Sequence, residues 1–146
     1  MAAGPFTFFN AFREKLGNAL IDLDTTPFRM TLHASGYTPS AADHGDLADT
    51  SNELATANGY TAGGAAMTVA WTRSGGTCSF TCDPVIWSAS GAGITVRVAV
   101  VHVDLSVSDK PLVGYFLLDS SGADVAVTAG NTLPITASPS GLFTLA

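Results

Sequence analysis

Residues 94–104, ITVRVAVVHVD, set the tightest limit on what this chain can fold into. β-Branched side chains fill most of the run and favour a pleated, extended backbone. Successive side chains of a strand point to opposite faces. Ile94, Val96, Val98, Val100 and His102 then share one face, and Thr95, Arg97, Ala99, Val101 and Val103 the other. A strand that is apolar on both faces over part of its length belongs at the centre of a sheet.

The neighbouring segments supply the rest of that sheet. FRMTLH (28–33) alternates Phe28, Met30 and Leu32 with Arg29, Thr31 and His33, the pattern of a half-buried strand. MTVAWTR (67–73), TCSFTCD (77–83), VIWSA (85–89), LVGYFLLD (112–119), NTLPITA (131–137) and GLFTLA (141–146) read as further short strands. The connectors SGG, SGAG, SDKP and SSGAD have turn chemistry. Short strands joined by such turns, without intervening helices, predict a mainly β protein: an antiparallel sandwich or barrel-like domain. No fixed-period repeat or linker divides the chain, so residues 1–146 are read as one domain.

One short helix is expected, within an N-terminal helical segment spanning 1–20. In FFNAFREKLGNAL, Phe9, Phe12 and Leu16 recur at three- and four-residue spacing, with Arg13, Glu14 and Lys15 on the other side. Thr7 or Asn10 would cap its start, and Gly17-Asn18 would stop it. Two to three turns do not stand alone in water, so Phe9, Phe12 and Leu16 must dock on the β body.

Segment 34–64 is rich in Gly, Ala, Ser, Thr, Asn and Asp. It reads as a long loop with one helical turn at DTSNELA (49–55). Loops of this length are uncommon unless they serve a binding surface. Tyr37, Leu47, Leu54 and Tyr60 are spaced as separate anchors for a partner, the kind of side chain that interfaces favour. The stretch Gly59–Gly64 would let the chain approach a neighbour's backbone closely. The competing arrangement is a lid folded over the chain's own sheet.

Charge narrows the function classes. Charged residues make up 12% of the chain and hydrophobic ones 47%, with a mean hydropathy of +0.32. Ordinary soluble domains carry roughly twice that share of charge. Surfaces so thinly charged are poorly protected from association, which points to an assembly. The net charge is −6, and the six basic residues (Arg13, Lys15, Arg29, Arg73, Arg97 and Lys110) are scattered. Binding a phosphate backbone needs them clustered, so no direct nucleic-acid role is expected. No apolar run reaches the roughly 20 residues of a membrane-spanning helix. The N-terminus carries no basic residue ahead of its apolar part, and no signal peptide is read there.

Cys78 and Cys82 flank Phe80 on one strand face. Four residues of extended chain place them about 13 Å apart, well beyond the roughly 7 Å a disulfide tolerates. Two buried, reduced thiols fit a protein assembled in a reducing cytoplasm.

Four motifs bear on chemistry. IDLDTT (21–26) places Asp22 and Asp24 as haloacid-dehalogenase-type phosphatases place a nucleophile and its acid partner. That reaction also needs a doubly wound α/β frame and a later lysine. Here the chain turns to β, so both aspartates are assigned to the end of a short strand and the turn into Phe28. ADHGD (42–46) gathers two carboxylates and a histidine that could meet a divalent cation; a solvated loop is the commoner outcome, and no metal or cofactor is assigned. TRSGGT (72–77) lacks the acidic residue and the paired His and Asp of a serine protease, and is read as a hairpin turn. His33 and His102 fall in strand patterns with nothing near them that suggests a triad. No catalytic residue is assigned and the chain is not read as an enzyme.

Taken in order, FNAFREKLG, IDLDTTPFRMTL, GYTPSAADHGDLADTSNELATANGYTAGG, KPLVGYFLLD and SGLFTLA span nearly the whole chain. This order resembles a group of small virion structural proteins of tailed bacteriophages. The elements that carry the likeness are I-D-L-D-T, Y-x-P about a dozen residues later, G-Y-x-A-G-G, P-L-V-G-Y and the closing G-L-F-x-L. The resemblance implies a β-rich, non-enzymatic capsid decoration or cement protein on the outer shell of the head. Its partners would be the major capsid protein and further copies of itself, as in a trimer at threefold positions. It would be made in the host cytoplasm and reside on the virion. Two alternatives stand beside it: a tail, head–tail connector or fibre-associated component, and a hydrolase built on Asp22 and Asp24.

Overall fold

The structure is a computed structural model that describes residues 2–105 and 110–146. A two-residue strand, β1 (Thr7–Phe8), precedes helix α1 (Asn10–Gly17) and strand β2 (Phe28–His33). After a 3-10 turn at Leu47–Asp49 come β3 (Ala65–Met67), β4 (Val69–Ser74), β5 (Thr77–Cys82) and β6 (Val85–Ser88). Then follow β7 (Ile94–Val96), β8 (Val98–Val103), β9 (Leu112–Leu117), β10 (Val125–Val127), β11 (Thr132–Ile135) and β12 (Phe143–Leu145). The fold is mainly β and antiparallel, with one α-helix among the described residues.

The largest sheet has the order β1-β9-β8-β2-β3, with β8 at its centre. All six residues of β8 are buried, as a strand apolar on both faces requires. Three small sheets, β10-β7, β11-β6 and β12-β5-β4, complete the β body. Between them and the large sheet lies the main core, which includes Phe12, Phe28, Met30, Phe80, Trp87, Val101 and Phe143. The arrangement is a sandwich-like pair of layers that does not close into a barrel. A second cluster of Phe9, Tyr37, Val98, Val100 and Leu112 lies on the opposite face of the large sheet. Burying an aliphatic or aromatic side chain contributes about 1.5–3 kcal/mol, so both clusters bear on stability.

Several expected strands divide or turn out more buried than their patterns imply. Residues 94–104 form two strands, because the chain changes partner at Arg97: β7 pairs with β10, whereas β8 pairs with β2 and β9. Val96 therefore joins the main core and Val98 the second cluster. MTVAWTR divides in the same way at Thr68, with β3 paired to β2 and β4 to β5. β2 is not half-buried, since Thr31 and His33 on its supposed outer face are both 0% exposed. Strands β1 and β10 are too short to give a period. The SGG turn links β4 to β5 as a hairpin, with Gly75 at φ 60°. The SDKP turn includes Ser108 and Asp109, which lie outside the described residues.

Helix α1 docks through Phe12, buried in the main core, and through the half-buried Leu16. Phe9 is fully buried but occupies the N-cap, where no side chain caps the helix. The expected caps play other parts: Thr7 lies in β1, and Asn10 accepts a hydrogen bond from Arg13. Asn10 N–H instead donates to the Ala41 carbonyl at 2.8 Å. At the other end the helix stops at Gly17. The left-handed residue is Ala19 (φ 56°), and Leu20 N–H closes back on the Lys15 carbonyl at 2.9 Å.

Candidate functional site

Asp22 and Asp24 lie in a turn, and the residues before them are not a strand. The Asp22 carboxylate accepts the Asp24 N–H (2.9 Å), the Thr25 N–H (3.3 Å) and the Thr25 hydroxyl (2.8 Å). Thr26 closes the loop from the other side, its hydroxyl accepting the Asp22 N–H at 2.9 Å. These bonds, led by the one from Asp24 N–H, hold the Asp22 carboxyl below its ordinary value, because they favour the charged acceptor. Leu23, between the two acids, turns into the main core. The sequence reading assigns both aspartates to the end of a short strand and the turn into Phe28; the turn is present, the strand is not, and among the described residues the Asp24 carboxylate accepts no hydrogen bond.

The segment 34–64 lies over its own sheet. Tyr37 and Tyr60 are each 2% exposed, and Leu47 and Leu54 pack half-buried against the second and the main clusters. The four side chains expected to reach for a partner are thus turned inward. Tyr37 and Leu47 cover Val98, Val100 and Leu112 on the second face of the large sheet, and Leu54 and Tyr60 extend the main core beside β2. The expected helical turn at 49–55 is displaced to Leu47–Asp49, because Asp49 caps it by accepting the Gly45 (2.8 Å) and Asp46 (3.0 Å) N–H groups.

Each part of this cover is tied down by polar contacts. Leu112 N–H donates to Gly45 and Leu47 N–H to Lys110, fixing the first half beside β9. Ala34 N–H donates to Asn52, and Leu54 N–H to Leu32, so residues 52–54 continue the sheet edge that β3 begins. Tyr60 Oη donates to Glu53 Oε1 (2.7 Å) and accepts the Leu32 N–H (3.2 Å). Burial raises the Tyr60 hydroxyl above its usual range, which keeps it a neutral donor. Glu53 Oε1 also accepts the Gly63 N–H at 2.6 Å. Arg29 completes the closure, donating from Nε to the Gly63 carbonyl (2.8 Å) and from Nη2 to Gly64. The close backbone approach expected of 59–64 does occur, but within the chain. A Cβ on Gly64 would lie 2.1 Å from the Met30 carbonyl oxygen, and one on Gly59 1.9 Å from that of Ser88.

All three histidines belong to this region. His33 Nδ1–H donates to the Ser51 carbonyl (2.8 Å), and its Nε2 pairs with the Thr31 hydroxyl (2.9 Å). Tyr37 Oη donates to His44 Nδ1 (3.0 Å), and the Tyr37 ring lies between His33 and His44, with centroids 4.8 and 5.7 Å away. His102 is fully buried, and neither ring nitrogen has a hydrogen-bond partner among the described residues. The acids and histidine of ADHGD point to separate partners: Asp43 to the Ser40 hydroxyl, His44 to Tyr37 and Asp46 to Lys15. Among the described residues no three His, Cys, Asp or Glu side chains converge to hold a metal ion.

Cys78 and Cys82 flank the buried Phe80 as free thiols, but both are half-buried rather than buried, since they lie toward the two ends of β5. Burial raises the Cys82 thiol above its ordinary value, away from the reactive thiolate. A cleft of about 600 Å³ runs between the N-terminal segment and β11, lined by Pro5, Phe6, Phe116, Leu133, Ile135 and Leu142 among others. Sequence reasoning missed both the cleft and the histidine cluster. The cleft arises where two sheet edges fail to meet, and the histidines come together only through the cover.

Fold and geometry define a class: a small antiparallel β protein whose central sheet is sealed on one face by a long hydrogen-bonded cover. Compared with family models, curated proteins and solved structures, the chain matches none.

Proposed function

We propose that this chain is a structural protein of a tailed-bacteriophage virion, a capsid decoration protein that binds and stabilises the outer surface of the head. The observation that carries the reading is the ordered set of motifs spanning the chain, since each contributes to one framework. I-D-L-D-T supplies the Asp22 turn, Y-x-P the buried Tyr37, and G-Y-x-A-G-G the Tyr60 and Gly64 closure. P-L-V-G-Y forms most of β9, and G-L-F-x-L places Phe143 in the main core. A thinly charged surface suits repeated contact with a major capsid protein and with further copies of the chain.

Quantifying the chain in purified particles of the encoding phage, after separating heads from tails, tests this. Hundreds of copies are expected on heads, and heads lacking the protein should lose heat resistance. A few copies confined to the tail or the head–tail junction would overturn the decoration reading in favour of a connector or tail role. Phosphatase turnover lost in Asp22→Asn would overturn it in favour of a hydrolase.

A further inference from the structure

We propose that the 34–64 cover is an acid-released lid, and that His102, sealed beneath it without a hydrogen-bond partner among the described residues, is its trigger. Alternation along β8 places His102 on the covered face with Val98 and Val100. Its strand neighbours are the residues that hold the cover. On one side, His102 is paired with Arg29, whose guanidinium binds the Gly63 and Gly64 carbonyls at the end of the cover. On the other side it is paired with Leu112, whose N–H binds Gly45 in the first half. A change at His102 is therefore one residue away from both attachments.

A proton on His102 has no compensation in the closed form. The charges that act on the ring are Lys110, Asp104, Arg29 and His33. Asp104 already binds Lys110 (2.8 Å) and lies 3.6 Å from Arg29, so its charge is shared between two fixed cations. A buried cation without partners is strongly disfavoured. Burial first, and then the neighbouring Lys110, push the ring down from 6.5 to about 4. His33 differs, although burial lowers it too. A proton on its Nε2 could be donated to Thr31 Oγ1, which lies 3.4 Å from the Val100 carbonyl and could pass its own hydrogen there. His44 Nδ1 is paired with the Tyr37 hydroxyl and accepts the Ser40 N–H.

Two acids near the cover, Asp49 and Asp104, do not reverse this trend. Asp49 and Asp104 are held below their ordinary value by hydrogen bonds, from Gly45 N–H and from Lys110 respectively, and stay charged as the pH falls toward 4. Asp46 is bound to Lys15, and Glu53 to Tyr60 and Gly63. With the closed-state pKa of His102 depressed, the closed form keeps its full advantage above about 6.5 and loses it as the pH falls toward about 4. The open population then grows by up to about tenfold per pH unit for one histidine. The device operates in the isolated chain, whatever its partner.

Residue-resolved hydrogen exchange at pH 7.0, 5.5 and 4.5, corrected for intrinsic rates, tests the proposal. Amides of 34–64 should exchange up to about tenfold faster per pH unit below 6.5, while those of β5, β6 and β11 keep their protection. His102→Leu should remove the acceleration, and His33→Gln should leave it in place. Should His102→Leu fail to fold, the ring titration of the wild type by NMR decides, with a His102 midpoint well below 6.5 expected. A normal midpoint beneath a closed cover would overturn the proposal. So would equal acceleration in His102→Leu, or exchange of all elements together as the pH falls.

Discussion

Asp22 and Asp24 sit one residue apart on the same exposed turn, yet among the described residues only the Asp22 carboxylate is bonded. Its carboxylate collects two backbone N–H groups and a hydroxyl within three residues, the short-range pattern to which Asp is suited. Removing it leaves those donors to water and loosens the entry of Leu23 into the core. Asp22→Ala should therefore lower the melting temperature at pH 7, and Asp24→Ala should leave it unchanged; thermal denaturation of the two variants checks this. Because the folded-state pKa of Asp22 is depressed, its contribution is complete above its unfolded value near 3.8. It is lost as the pH falls through the lower folded value. The gap between wild type and Asp22→Ala should accordingly close in strong acid, and a gap independent of pH would show that the charge has no part.

Helix α1 has eight residues, too few to persist without tertiary support. Its hold is aromatic. Phe12 stacks on Phe8 at 5.3 Å and meets Phe143 edge-on at 6.0 Å, while Phe6 stacks on Phe143 from the N-terminal segment. Arg13 lies outside, its guanidinium 5.5 Å from the Phe8 ring centroid. Phe12→Ala should cost about 3–5 kcal/mol, because the cavity opens at the junction of helix, β1 and β12. Arg13→Ala should cost less than about 1 kcal/mol, as expected for an exposed cation–π contact. Chemical denaturation measures both, and equal tolerance would mean that the helix does not anchor the N-terminus. The 3.6-residue period made this helix legible in the sequence. Its cap was not, because the N-terminal amide of Asn10 is satisfied by Ala41, which only tertiary structure brings within reach.

At the scale of the molecule, the large sheet has two buried faces and two different coverings: the small sheets on one side and segment 34–64 on the other. The cover is cross-linked through Tyr60, Glu53, Arg29 and His33 rather than through a regular element. Part-buried hydrogen bonds of this kind resist opening more than the bonds of exposed loops do. At neutral pH the amides of 52–54 and 60–64 should be protected in the isolated chain, as measured by hydrogen exchange. Tyr60→Phe should weaken that protection selectively. It strands the Leu32 N–H and removes a donor from Glu53, at a cost of about 1–3 kcal/mol. Free exchange across the whole segment in the wild type would contradict a fixed cover.

Local chemistry was enough to determine the class of fold. The strand character of 28–33 and of most of 94–104, the SGG hairpin and the turn into Phe28 depend on residues close in sequence and are seen in the structure, although β2 is buried on both faces and the alternation of 94–104 breaks at Arg97. Buried thiols and half-buried strands were less secure inferences, because burial depends on what lies across the face. Tertiary structure alone decided where Arg97 and Thr68 switch sheets, since strands on either side of a switch have the same composition. It also decided the fate of Tyr37, Leu47, Leu54 and Tyr60. An aromatic in a polar loop looks the same in sequence whether it faces a partner or its own sheet. Here Tyr37 and Leu47 turn onto the second face of the central sheet at Val98 and Val100, and Leu54 and Tyr60 turn into the main core.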